Sequence, residues 1–228
     1  MRIAIVENTR ITQHGQVGVA LHEAAATIDL YKPWADQRLP WPGSYDALVV
    51  FGGEQSAMDD AIHPYLPRLA DLMASSAQGG TSVLGICLGS QLLARGLGAT
   101  PSLGSAAEFG WCEVERLAED PVLAALPRRF PSFQWHDDTH DLPPGSEHLA
   151  TSAVAPVQCY RVGRAGYGMQ FHFEASRAVV AEWTREFPEQ IEPISPGWTA
   201  ALPDRAAREG VAADAHGLDI ARAWVATI

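Results

Sequence analysis

Short apolar runs alternate with amphipathic stretches through the first hundred residues, and that alternation predicts the elements. Residues 2–7 hold the run Ile3-Ala4-Ile5-Val6 and read as a strand. Residues 16–26 place Val17, Ala20, Leu21 and Ala24 on one helical face. Residues 27–31 read as a second strand, and 33–42, rich in Pro and Trp, as a loop. Residues 45–51 form a buried strand that closes on Gly52-Gly53. Residues 65–77 carry Leu66, Leu69, Leu72 and Met73 at helical spacing, and 82–86 form the next strand, followed by a helical pattern at Gln91-Leu92-Leu93-Ala94-Arg95. Strands and helices in strict alternation predict an open, mostly parallel α/β sheet flanked by helices on both faces.

Beyond residue 100 the pattern changes to short strand candidates separated by turn signals, at 109–117, 129–135, 148–152, 157–162 and 168–173. A helix follows at 175–187, then an Ala-rich helical tail over 203–228, broken near Gly217. Without an internal repeat or low-complexity linker, the pattern is a strand-rich insertion into one α/β domain. The tail carries Val211, Leu218, Ile220, Trp224 and Val225, which would cap the domain or meet a second copy of the chain as a homo-oligomer.

The 228 residues, 47% of them apolar, suit one large domain with a sizeable core. A net charge of −11 argues against nucleic acid and against anionic membranes as partners. The three widely spaced cysteines argue against a disulfide framework and fit a reducing cytoplasm. No Cys-x-x-Cys pair suggests zinc. The first apolar run is too short for a signal peptide, and no run approaches the ~20 apolar residues of a membrane span.

Candidate chemistry centres on Gly85-Ile86-Cys87-Leu88-Gly89, a cysteine between two glycines at a strand-to-helix junction. That layout is a nucleophile elbow: the apex residue is strained and exposed, and the helix N-terminus behind it favours a thiolate. A bare cysteine is as often a small core residue. A reactive one needs a base with an orienting partner. Of the eight histidines, His172 is best placed, because in a strand His172 and Glu174 point to one face while Phe171 and Phe173 point to the other. Gly52-Gly53, at a strand's carboxyl end, would let backbone N–H groups approach a ligand, and with the N–H of Leu88 would form an oxyanion hole. The run His136-Asp137-Asp138-Thr139-His140-Asp141 has metal-ligand residue types but reads better as a polar loop, so no metal and no cofactor is assigned.

Three stretches together resemble the class I (triad-type) glutamine amidotransferases. Gly85-Ile86-Cys87-Leu88-Gly89-Ser90-Gln91 is similar to that family's nucleophile motif, Gln170-Phe171-His172-Phe173-Glu174 to its histidine–glutamate motif, and Gly52-Gly53 falls where it places the oxyanion strand. Glu108-Phe109-Gly110-Trp111, Phe133-Gln134-Trp135-His136-Asp137-Asp138 and Leu149-Ala150-Thr151-Ser152 resemble the branch containing the amidotransferase domain of GMP synthase. The resemblance covers residues 1–187 and implies a flavodoxin-like amidotransferase domain there, with 188–228 a helical extension packed on the same domain. It implies a Cys87–His172–Glu174 triad that cleaves the γ-amide of glutamine through a γ-glutamyl thioester, oxyanion donors near Gly53 and at Leu88, and substrate contacts from Gln91 and Glu108. Phe173, Glu54 and Ser90 stand where the family commonly has proline, proline and histidine.

Ammonia would then pass to a separate synthetase chain, since no Gly-x-x-x-x-Gly-Lys-Ser/Thr loop is present. The alternatives are a stand-alone γ-glutamyl peptide hydrolase, a deglycase-like enzyme pairing Cys87 with Glu7 at the end of the first strand, and a non-catalytic binding protein.

Overall fold

The computed structural model describes residues 1–35 and 37–228; Asp36, within the predicted loop 33–42, lies outside the described residues. The elements in order are β1 (Arg2–Val6), α1 (Gly15–Glu23), β2 (Thr27–Tyr31), β3 (Ala47–Val50), α2 (Leu66–Gln78), β4 (Ser82–Ile86), α3 (Leu88–Gly96), β5 (Pro101–Ser102), β6 (Glu108–Arg116), β7 (Arg129–His136), β8 (Thr139–His140), β9 (Glu147–Thr151), β10 (Cys159–Val162), β11 (Gly166–Met169), α4 (Arg177–Glu186), α5 (Pro188–Ile194), α6 (Trp198–Arg205) and α7 (Val211–Val225). A 3-10 turn spans Pro33–Ala35, and a π-helical turn, Ala206–Gly210, joins α6 to α7.

One nine-stranded sheet runs in the order β2-β1-β3-β4-β11-β10-β9-β6-β7. The first five of these strands pair in parallel. The strand-rich insertion extends the same sheet by antiparallel pairing from β10 to β7. β11, last in sequence, returns to pair with β4, so the insertion leaves the parallel core and the chain comes back to its centre.

Both faces of the parallel core are covered, which is why its strands read as unbroken apolar runs rather than alternating ones. Ile3, Ile5, Val49, Leu84 and Ile86 pack with α1 and α7 on one side, while Ala4, Val6, Leu48, Val50 and Val83 pack with α2 and α3 on the other. A third cluster forms where Trp111 and Phe133 meet Trp183, Ile191 and Trp198. Residues 188–228 contribute to both the first and the third cluster, through Ile220, Trp224 and Val225 and through Ile191, Trp198 and Ala213. Most of the tail's apolar face is therefore used on the domain itself. No helix among the described residues is long and apolar enough to cross a membrane.

Two local expectations are corrected. The strand predicted over 168–173 ends at Met169, because the chain must leave the sheet to bring His172 and Glu174 over the strand ends. The break predicted near Gly217 is absent, and α7 runs through it. A Cβ there would lie 2.0 Å from the carbonyl oxygen of Phe173, so glycine is needed for the close approach of α7 to the backbone between His172 and Glu174. Ahead of α7, residues 188–205 form α5 and α6 in spite of Pro188, Pro193 and Pro203. Pro188 stands in the first turn of its helix, where a missing N–H costs nothing.

The Gly217 contact reverses an ordinary rule. Gly→Ala in a helix interior normally stabilises by about 1 kcal/mol. At Gly217 the overpacking, about 1–3 kcal/mol, should win, so G217A is expected to lower Tm by several degrees in calorimetry. A raised Tm would show that α7 is not pressed on this segment.

Candidate active site

Cys87 stands between β4 and α3 with φ 52° and ψ −110°, a conformation that costs a non-glycine residue about 1–3 kcal/mol. The flanking glycines make it attainable. A Cβ on Gly85 would lie 2.4 Å from the oxygen of Gly89, and a Cβ on Gly89 2.1 Å from the oxygen of Val50. The Cys87 N–H donates to the Met169 carbonyl at 2.8 Å, tying the elbow to the end of β11. Leu88 opens α3, so its N–H has no acceptor within the helix and is free for a ligand. Gln170 Nε2 approaches the thiol sulfur to 3.7 Å.

His172 and Glu174 meet as expected but by a different route. Beyond β11 the His172 N–H donates to the Phe133 carbonyl at 2.8 Å, an isolated bridge to β7. Phe171 and Phe173 are buried in the main core, and the intervening polar side chains turn the other way. Nδ1 of His172 lies 2.7 Å from Oε1 of Glu174, leaving Nε2 for the thiol side. The Gln16 N–H at the start of α1 donates to the Glu174 carbonyl at 2.9 Å, and Gly15 passes too close to that oxygen to carry a Cβ. Burial disfavours the imidazolium, but the Glu174 carboxylate and the Cys87 sulfur outweigh it, and the His172 pKa is pushed up to about 10.

Cys87, His172 and Glu174 line one cleft of about 480 Å³ together with Gly52, Gly53, Leu88 and Gln91, at the carboxyl ends of β1, β3, β4 and β11. That is where open α/β sheets bind ligands. Gly52 forms part of the floor: a Cβ there would come within 3.2 Å of His172 Cε1 and 3.4 Å of Cys87 Cβ. At Gly53 a Cβ would meet Gln55 Oε1 at 2.3 Å, Asn8 Cβ at 2.8 Å and Leu88 Cδ2 at 3.1 Å, so the backbone here runs close to its neighbours only because it carries no side chain. Gln91 commits its Nε2 hydrogens to the Asp138 carbonyl at 3.1 Å and to Gln170 Oε1 at 3.2 Å.

Glu108 is not on the cleft wall. Its side chain, 6% exposed, accepts from Ser152 Oγ and Gln158 Nε2 and lies 3.4 Å from His136 Nε2, so it reaches the cleft only through His136, which does line it. The polar run after Trp135 divides. Asp137 and Asp138 face the cleft, while His140 turns beneath α3 to Ser90, and burial pushes its pKa down to about 4. Glu7 is engaged elsewhere, by His14 at 2.9 Å and Lys32 at 3.1 Å, and does not line the cleft, which removes the basis for a Cys87–Glu7 pair.

One wall was not foreseen from the sequence. Trp183, Phe187 and Ile194, from α4, its C-terminal end and α5, line the cleft. The spacing of Trp183 and Phe187, four residues apart, was a signal for a shared helix face but not for what it faces.

The family model for class I glutamine amidotransferases matches residues 16–185. A glutamine-hydrolysing GMP synthase of Thermomicrobium roseum is 36% identical over 165 residues, which cover 71% of this chain and 30% of that protein. The glutamine amidotransferase-like protein YfeJ of Salmonella typhimurium is 30% identical over 180 residues, 70% of this chain and 75% of that one. A crystal structure of a glutamine amidotransferase from Thermotoga maritima superposes with a TM-score of 0.85 at 28% identity, covering 95% of each chain. With the matched region containing the elbow, the histidine and the glutamate, the chain belongs to the class I glutamine amidotransferase family.

Proposed function

We propose that the cleft hydrolyses the γ-amide of glutamine through a γ-glutamyl thioester on Cys87. The observation that carries this reading is the 2.7 Å contact between His172 and Glu174, set in one cleft with a cysteine at a helix N-terminus. Cys87 attacks the amide carbon as a thiolate. The N–H groups of Gly53 and Leu88 receive the negative oxygen of the tetrahedral intermediate, where such donors contribute most. His172, held as imidazolium by Glu174, gives its Nε2 proton to the leaving nitrogen. Water then attacks the thioester, His172 takes its proton, and glutamate leaves as the thiolate reforms. With its hydrogens already used, Gln91 offers substrate a carbonyl acceptor; Glu108 acts at one remove, by orienting His136.

Some relatives are separate glutamine-hydrolysing chains of GMP synthase, such as that of Thermococcus kodakarensis, and they support an ammonia-accepting synthetase as a distinct partner. That match covers 41% of this chain and 51% of the relative. Stand-alone hydrolysis of γ-glutamyl compounds, peptides among them, without any acceptor is the second reading, supported by a cleft of about 480 Å³ with room beyond the glutamyl group.

Cys87 is itself buried but lines the cleft, whereas Cys112 and Cys159 do not, so a glutamine-analogue electrophile is expected to label Cys87 alone, read by peptide mass spectrometry. Cys87→Ala and His172→Ala should each reduce glutaminase turnover by at least about a thousandfold. Unlabelled Cys87, or full turnover in the Cys87→Ala protein, would refute the mechanism.

A second expectation concerns pH. The raised pKa keeps His172 protonated through neutrality, and the proton leaves only as pH climbs toward about 10. Glu174→Gln removes a raising influence while burial still lowers the value, so the imidazolium should be lost at lower pH. Histidine NMR titration of the two proteins reads this directly; an unmoved titration would mean that Glu174 does not set the charge of His172.

A further inference from the structure

Resting on the γ-glutamyl reading above, we propose that the cleft takes γ-glutamyl amides whose nitrogen carries an apolar substituent without a carboxylate. When the thiolate attacks, the carbonyl oxygen turns to Gly53 and Leu88 and the nitrogen turns to His172, its proton donor. A substituent on that nitrogen therefore runs past His172, and what lies there is aromatic. The rings of His172 and Trp183 stand 5.2 Å apart edge to face. Trp135 packs 5.7 Å from Trp183 and 5.7 Å from Phe187. Trp183 commits its only polar atom to Gln13 Oε1 at 2.7 Å, so it presents carbon to the cleft. Ile194, 47% exposed, carries the wall to the mouth. Ammonia alone needs no such wall, and a cleft of about 480 Å³ falls in the range of about 300–1,000 Å³ that holds drug-sized ligands.

Charge selects further. Glu54, Asp59, Asp137 and Asp138 line the cleft, and among the described lining residues none is Lys or Arg. The glutamyl head is a zwitterion whose ammonium answers these carboxylates. A carboxylate on the amine side, as in a γ-glutamyl peptide, brings no cation, and the one it passes, the His172 imidazolium, is already paired with Glu174 and gives its other proton to the leaving nitrogen.

The chemistry balances without a co-reactant beyond water. Sulfur bonds to the γ-carbonyl carbon, the C–N bond breaks, and the imidazolium proton goes to the departing amine. Water adds, His172 takes its proton, and the C–S bond breaks to release glutamate.

Three substrates separate the effects: γ-glutamyl ethylamide, γ-glutamyl phenethylamide, which adds the ring, and γ-glutamylphenylalanine, which adds ring and carboxylate. Partial burial of the ring should raise kcat/KM for the phenethylamide about tenfold over the ethylamide. The carboxylate should forfeit a similar factor. Phe187→Ala, and Ile194→Ser at a site exposed enough to leave folding untouched, should shrink the phenethylamide-to-ethylamide ratio. Equal rates for ethylamide and phenethylamide, equal rates with and without the carboxylate, or a ratio unmoved by both substitutions would overturn the proposal. In each of those cases continued glutamine hydrolysis leaves the parent reading standing, whereas no turnover of glutamine or any of the three overturns both.

Discussion

The strained backbone of Cys87 is the constraint on which the rest of the site depends. A residue at φ 52° between a buried strand and a helix persists only if its surroundings overdetermine it. Here they do: β4 is paired in parallel on both sides, α3 is pressed onto Val50 through Gly89, and the cysteine N–H is fixed to the end of β11. The same bond that holds the elbow also sets where the chain leaves β11, three residues before His172. Cys87 and His172 are thus positioned by one junction, between β4 and β11 in the middle of the sheet.

The segment carrying His172 and Glu174 is held with comparable redundancy. α1 donates an N–H to the Glu174 carbonyl, and α7 lies against the Phe173 carbonyl. Two helices distant in sequence clamp a segment that belongs to no regular element. The electrostatic result is clearest by comparison within the molecule. His140 and His172 are both buried, yet burial prevails at His140, whose ring bonds a hydroxyl and a carbonyl and feels the Asp141 carboxylate without bonding it, whereas Glu174 and Cys87 prevail at His172. The partner, and not the depth, decides which histidine carries a proton at neutral pH.

The cleft has three walls of different character. Backbone at Gly53 and Leu88 makes one, carboxylates at Asp137 and Asp138 another, and rings at Trp135, Trp183 and Phe187 the third; in the proposed reaction they would take the oxyanion, the cationic head and the leaving amine. The parallel core supplies the first wall, the antiparallel insertion the second, and the helices that follow Glu174 much of the third. An addition to the fold is in this way an addition to the site.

The amino-acid sequence by itself determined the elbow, the order of cysteine, histidine and glutamate, and the parallel core, because each rests on local pattern: apolar runs, glycine at a turn, residues two apart. It did not reveal that the chain leaves the sheet after Met169, since a buried apolar run looks the same in a strand and beyond its end. Gly217 read as a helix break because glycine's helix propensity is local, while the carbonyl it accommodates lies 44 residues away along the chain. Glu108 was placed beside the substrate by the family resemblance, a match of position that carries no depth, and tertiary packing put it behind His136. The aromatic wall was invisible for the same reason. Which side chains meet across a cleft is settled by the packing of elements that have no local knowledge of one another.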